Sequence, residues 1–202
     1  LEHIVELEPD LVYLFYDRFL PEIENLGITV LYINSLNTKI SDVFELYRMW
    51  GVITANEEIS ELRVDTLTKE LTELEILLST VETGPRVYHH TGGFWTAGGD
   101  TPVGDVYRFL KAVSVSDGIS GYIQITPEEI LSFNPEIIIS PEETRAEIMA
   151  NTALQNSSAV KNGNVINTSD GSLYVAGPRI VNAIKELGAI FYPELFDQTT
   201  NE

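Results

Sequence analysis

One pattern occurs twice in this chain, and it fixes the class of fold. EHIVELEPDLVYL (2–14) and EEILSFNPEIIIS (128–140) both read acid, any residue, Ile, aliphatic, polar, apolar, polar, Pro, acid, aliphatic run. A short helix must stop before the proline, because the ring removes a donor and restricts the residue ahead of it. The aliphatic run that follows, Leu11–Phe15 in one copy and Ile137–Ile139 in the other, reads as a buried parallel strand. Each copy is followed by a helical stretch and another strand: ITVLYIN (28–34) after the first, EETRAEIMAN (142–151) and GNVINT (163–168) after the second. Strands alternating with helices predict α/β architecture, a Rossmann-like lobe with a parallel sheet in each half.

The two halves differ in what precedes the repeat. The strand PRVYHH (85–90), a glycine-rich segment and the helix TPVGDVYRFLKAV (101–113) lie ahead of the second copy, and nothing comparable lies ahead of the first. The duplication therefore predicts an incomplete N-terminal lobe and a chain that is the C-terminal portion of a longer protein. Between the halves, residues 56–82 form the clearest helix: Leu67, Leu71, Leu74, Leu78 and Val81 step by four and three into one stripe, and Asn56 suits the N-cap. At 1.5 Å per residue such a helix spans about 40 Å. Expected boundaries are 1–55 for the rest of the N-lobe, 56–82 for the connecting helix and 83–202 for the C-lobe. In GPRIVNAIKELG (177–188), Pro178 is expected in the first turn and Gly188 at the C-cap.

Composition removes several functions. A formal charge of −19 opposes nucleic acid and anionic lipid, which need a basic surface. With no cysteine there is no disulfide, haem thiolate or Cys-type metal site. Neither a GxSxG elbow nor a P-loop occurs, and no catalytic residue, metal site or cofactor is predicted.

The ordered set LEPDLVYL, NLGITVLYIN, MWGVITANEE, PRVYHHTGGFWTAGGDTPVGDVYRFL, GYIQITPEEILSFNPEIIIS, SAVKNGNVI and FYPELF resembles the substrate-binding proteins of cobalamin, ferric-siderophore and haem ABC importers. That resemblance implies two α/β lobes joined by one long helix and a metal chelate held between them. It also implies an ABC permease as partner and an extracytoplasmic location, with any signal or anchor outside this chain. An N-lobe lacking its opening strand would expose an apolar face, and self-association through that lobe is expected.

Ligands of open α/β sheets sit beyond the carboxyl ends of the strands. The rule selects Tyr16–Asp17, Asn34–Ser35, His89–Asp100 and Ser140–Glu142. HHTGGFWTAGGD (89–100) reads as a loop whose rings can stack on a flat chelate, and by resemblance TAGGD is a special turn into the next helix. The ligand-binding candidates are Tyr16, Asn34, His90, Phe94, Trp95, Tyr122 and Ser140, with Arg145 a weaker one for an anionic group. In an extended segment His89 and His90 face opposite ways and cannot share a metal. By resemblance, permease docking falls to Asp17 or Glu22 on one lobe and Asp100 or Asp105 on the other. Two alternatives stay open: a chelatase-like enzyme using His89 or His90 with Glu128 nearby, though no His–carboxylate pair is evident, and a sensory or scaffold domain reusing the fold.

Overall fold

Each proline of the repeat does what its chemistry requires. In the computed structural model, which describes residues 1–34, 38–168, 171–174 and 177–196, the helix α1 (Glu2–Glu6) stops ahead of Pro9 and strand β1 (Val12–Leu14) follows. A 3-10 turn at Asp17–Phe19 and the short helix α2 (Leu20–Glu24) lead to β2 (Val30–Tyr32), which pairs with β1 in parallel, Val12 opposite Val30. Ser35, one of the expected cleft positions, lies outside the described residues.

Two helices then leave the N-lobe side by side. Helix α3 (Asp42–Ile53) packs along α4 (Glu57–Leu77), and the pair touches so closely at Gly51 that a Cβ there would overlap Ser60. Of the expected stripe, Leu67, Leu71 and Leu74 are buried on α4 together with Val64, Leu78 is buried just past its end, and Val81 lies beyond the helix and is half-buried. The helix is unbroken but shorter than expected, ending at Leu77, where Lys111 Nζ donates to the carbonyls of Leu78 (2.8 Å) and Val81 (2.5 Å). A lysine at the carbonyl end of a helix suits its dipole. Asn56 holds the N-cap position, but its side chain donates to Thr54 O at 2.6 Å rather than accepting from the helix.

The C-lobe begins with β3 (Arg86–His89), β4 (Trp95–Ala97), helix α5 (Pro102–Phe109) and β5 (Val113–Ser114). It continues through β6 (Tyr122–Gln124), α6 (Pro127–Phe133), β7 (Ile137–Ile139), α7 (Glu142–Ala150), α8 (Ser158–Lys161) and β8 (Val165–Ile166). The strands β5-β3-β7-β8 form one parallel sheet. The chain leaves β3 first toward β5 and later toward β7, so the sheet reverses direction there and a crevice opens past the end of β3. A 3-10 turn at Gly171–Tyr174, helix α9 (Ile180–Phe191) and α10 (Pro193–Phe196) close the lobe.

Alternation along the strands separates two cores. Val87, Ile137 and Ile139 face α4, α5 and α9, while Tyr88, Ile138 and Val165 join Ile130, Ile148, Leu154 and Ala159 on the opposite face. Two expectations about α9 are corrected. The helix starts at Ile180 rather than at Pro178, and Gly188 lies inside it, where a Cβ would overlap the Phe196 ring. Its glycine is a packing requirement and not a cap. Ile180, Val181, Ile184 and Leu187 are buried as expected.

Candidate ligand-binding cleft

The segment 89–100 is only partly a loop, which corrects the expectation from its glycines. Gly92, Gly93 and Phe94 take positive φ in succession (105°, 57° and 61°), and the chain then enters β4. Positive φ costs little at glycine but strains a phenylalanine. The turn is held by Trp95 N on Gly92 O (3.0 Å), Gly93 N on Glu147 Oε2 (2.7 Å) and Gln124 Nε2 on Gly93 O (2.7 Å). Strand β4 pairs antiparallel with β6, with Trp95 opposite Gln124, Thr96 opposite Ile123 and Ala97 opposite Tyr122. Period two then places Trp95 and Tyr122 diagonally on one face of this ribbon. Thr96 and Ile123 take the other face, where Thr96 is buried and Ile123 packs on the second core.

Beyond the ribbon, TAGGD is a close approach of backbones. A Cβ on Gly98 would overlap the carbonyls of Ile119 and Gly121, and one on Gly99 that of Asp117. Only glycine fits between those strands of chain. Asp100 accepts from Ser120 Oγ and from Gly121 N (2.7 Å), and these bonds hold its carboxyl below the usual range. Thr101 caps α5 by accepting from Gly104 N at 3.2 Å.

The aromatic candidates differ in exposure. Tyr16 follows β1 and is 64% exposed, Trp95 is 45% exposed, and Tyr122 is half-buried. Burial, and after it the Tyr16 hydroxyl, raise the Tyr122 phenol above its ordinary range. Tyr174, which sequence reasoning missed, is half-buried, and burial and then Tyr122 push its phenol up to about 12.

The two histidines do face opposite ways. His89 is fully buried between Tyr107 (Nδ1 to Oη, 2.6 Å) and Tyr174 (Nε2 to Oη, 3.0 Å), and burial followed by the nearby His90 lowers its pKa to about 3. His90 is also fully buried, with Nδ1 3.0 Å from Tyr88 Oη and the Phe94 ring 5.7 Å away. Its Nε2 lies 3.3 Å from Glu147 Oε2, within ion-pair distance. Burial lowers the His90 pKa, and Glu147 acts against that shift. A His–carboxylate pair therefore exists, contrary to the reading from spacing, and its carboxylate is Glu147, not Glu128. The two residues are separated by 57 positions in the sequence, so no motif could reveal the pair.

The other candidates are dispersed or engaged. Phe94 tucks against the second core, and Ser140 is fully buried with its hydroxyl 3.2 Å from both Pro141 O and Thr144 Oγ1. Asn34 is exposed and lines a groove of about 480 Å³ with Thr38, Asp42 and Met49. Arg145 pairs with Glu142 at 3.7 Å on the surface of α7. Asp17 and Glu22 are exposed. Asp105 is engaged: it accepts from Ile40 N (2.8 Å) and from Arg108 (2.9 Å), which ties the segment after β2 to α5. Among the described residues no three His, Asp or Glu side chains gather as a metal site.

With this geometry in view, comparison with known proteins is decisive for the family. Residues 1–170 match the family of periplasmic binding proteins. The chain belongs to that family. Among curated relatives, an uncharacterised ABC transporter substrate-binding lipoprotein of Bacillus subtilis is 22% identical over 98% of this chain and 67% of its own length. A protein described as cobalamin-binding, from Halobacterium salinarum, is 24% identical over 95% of this chain. The chain spans only 56% of that relative's length. Solved structures share the fold. The haem-binding periplasmic protein RhuT of Roseiflexus sp. RS-1 superposes with a TM-score of 0.83 at 18% identity, covering 96% of this chain and 80% of RhuT. The molybdate-binding protein MolA of Haemophilus influenzae gives 0.84 at 17% identity, covering 98% and 70%. Among the described residues no helix is long and apolar enough to cross a membrane.

Proposed function

We propose that this chain is the ligand-binding portion of an extracytoplasmic solute-binding protein. It captures a metal chelate, such as a ferric siderophore, haem or cobalamin, between two lobes and delivers it to an ABC permease. One observation carries the reading: the C-lobe sheet reverses direction at β3, and the ribbon beside it carries an exposed Trp95 and the half-buried Tyr122 diagonally on one face. Flat or compact chelates offer π faces and peripheral acceptor atoms, and an indole and a phenol on one ribbon face suit both. The names of relatives, which include an ABC substrate-binding lipoprotein and a cobalamin-binding protein, support the same reading. The test is a binding panel of cyanocobalamin, haemin and a ferric tris-catecholate, read by Trp fluorescence and calorimetry. Saturable 1:1 binding of one supports the proposal, and no binding of any refutes it.

A chelatase-like enzyme is favoured by the pair His90–Glu147 alone. Against it, His90 is shut from solvent behind Phe94. Metal insertion into a porphyrin, abolished by Glu147→Gln, would restore that reading.

A further inference from the structure

His89 ties three elements together, since it ends β3, Tyr107 lies on α5 and Tyr174 ends the 3-10 turn at Gly171–Tyr174. Its ring stands nearly edge-on to Tyr174, at 5.5 Å and 67°. Both ring nitrogens are used, at 2.6 Å to Tyr107 and 3.0 Å to Tyr174. A neutral imidazole has one N–H and one lone pair, so these two phenols must play opposite parts. Deep burial keeps this ring neutral, with its pKa lowered to about 3.

Which phenol donates follows from burial. Tyr107 is 1% exposed, and among the described residues its hydroxyl has His89 Nδ1 as hydrogen-bond partner. If Nδ1 carried the proton, the Tyr107 O–H would be a buried donor left unsatisfied, a costly state. Tyr107 therefore donates to Nδ1, and the imidazole proton sits on Nε2, where it donates to the Tyr174 oxygen. With His89 donating to its oxygen, the Tyr174 hydroxyl proton must turn away from His89, which stands at the carboxyl end of β3 where the crevice of the sheet opens.

We propose that Tyr174 is a further ligand-binding residue of the cleft, and that His89 is its positioning residue, forcing the Tyr174 hydroxyl to present a donor to an acceptor oxygen of the bound chelate. The oxygen is of the carboxylate, amide or catecholate kind, and this inference rests on the solute-binding reading above. Neither residue touches the other through sequence proximity, since 85 positions separate them.

Two measurements test it. In ¹⁵N spectra of the ligand-free protein, His89 should show a protonated Nε2 and an unprotonated Nδ1 from pH 8 down to pH 5. A protonated Nδ1 overturns the proposal. Affinities for cyanocobalamin and haemin are then measured in a double-mutant cycle. Tyr174→Phe, which keeps the ring, should weaken the better probe by about tenfold, the usual scale of one hydrogen bond to a ligand. His89→Gln should weaken it similarly in the wild-type background and hardly further in Tyr174→Phe. Unchanged affinity in Tyr174→Phe, or equal losses from His89→Gln in both backgrounds, overturns the proposal. If His89→Gln does not fold, the spectrum and Tyr174→Phe still decide. Failure of every chelate to bind wild type would refute the solute-binding reading, while the tautomer independently decides the role of His89.

Discussion

The two copies of the helix–proline–strand unit have nearly the same sequence pattern and very different surroundings. In the C-lobe, α6 opens with a full capping box between Thr126 and Glu129 and closes at Asn134 with φ of 50°, and β7 is wholly buried. In the N-lobe, α1 has no side-chain cap, Glu8 holds φ of 45° at the position equivalent to Asn134, and no residue of β1 or β2 is fully buried. Asparagine tolerates the left-handed region, whereas glutamate does so at a cost. Local pattern thus specifies the same backbone twice, but stability comes from what lies on both faces of the strand. Of the first 34 residues only Ile23 is buried.

The largest expected effect tests this contrast directly. Ile138→Ala, in a strand covered on both faces, should cost about 2–5 kcal/mol, whereas Leu31→Ala in β2 should cost about 1 kcal/mol. Urea denaturation measures both, and equal losses would break the comparison.

Acid should erode the C-lobe's advantage. His89 has a folded pKa of about 3 against an ordinary 6.5, so the unfolded chain takes up a proton that the folded chain refuses. Above pH 6.5 the contribution vanishes; below it stability falls by about 1.4 kcal/mol per pH unit until pH 3. His90, shifted the same way, adds to the slope. Melts at pH 7, 5 and 4 should show the loss, and His89→Gln should make the curve shallower.

Much of this contrast was legible in the sequence. The aliphatic runs located β1, β2 and β7 because a buried strand must be apolar, and the four-three step located α4 because its stripe meets a core. The ribbon of β4 and β6 was not legible, since strands as short as WTA sit among glycines and are defined only by each other. Gly188 misled because a glycine near the end of a helix resembles a cap, and only Phe196 explains it. Tyr174 and Glu147 were invisible because their partners are distant in the chain. Sequence reasoning could therefore nominate strand ends and rings as a candidate site, but not the hydrogen-bond network around His89 and His90.

Within the cleft, Trp95→Ala should weaken chelate affinity by about 1–3 kcal/mol with little loss of stability. Phe94→Ala should do the reverse, because that ring faces the second core. A titration and a thermal melt of each variant separate the two outcomes.

Smaller effects distinguish the lobes again. Glu8→Asn should stabilise the first unit by about 0.5–1 kcal/mol by relieving its backbone, detectable by hydrogen exchange of α1 and β1. Smallest of all, Asp17→Lys or Glu22→Lys should change stability by less than about 0.5 kcal/mol. Asp105→Lys should cost more, because it releases Ile40 and Arg108. Loss of permease stimulation by the first two, with chelate affinity retained, would assign docking to the exposed acids.

The bond from Asp105 to Ile40 has a mechanical meaning. Ile40 and Val43 leave the N-lobe yet lie in the same core as α5 and α9, so the fulcrum of any lobe motion is embedded in the C-lobe. The N-lobe is then a lever mounted on a paired-helix beam. To open the cleft, the beam must flex or Ile40 must be drawn out of its socket.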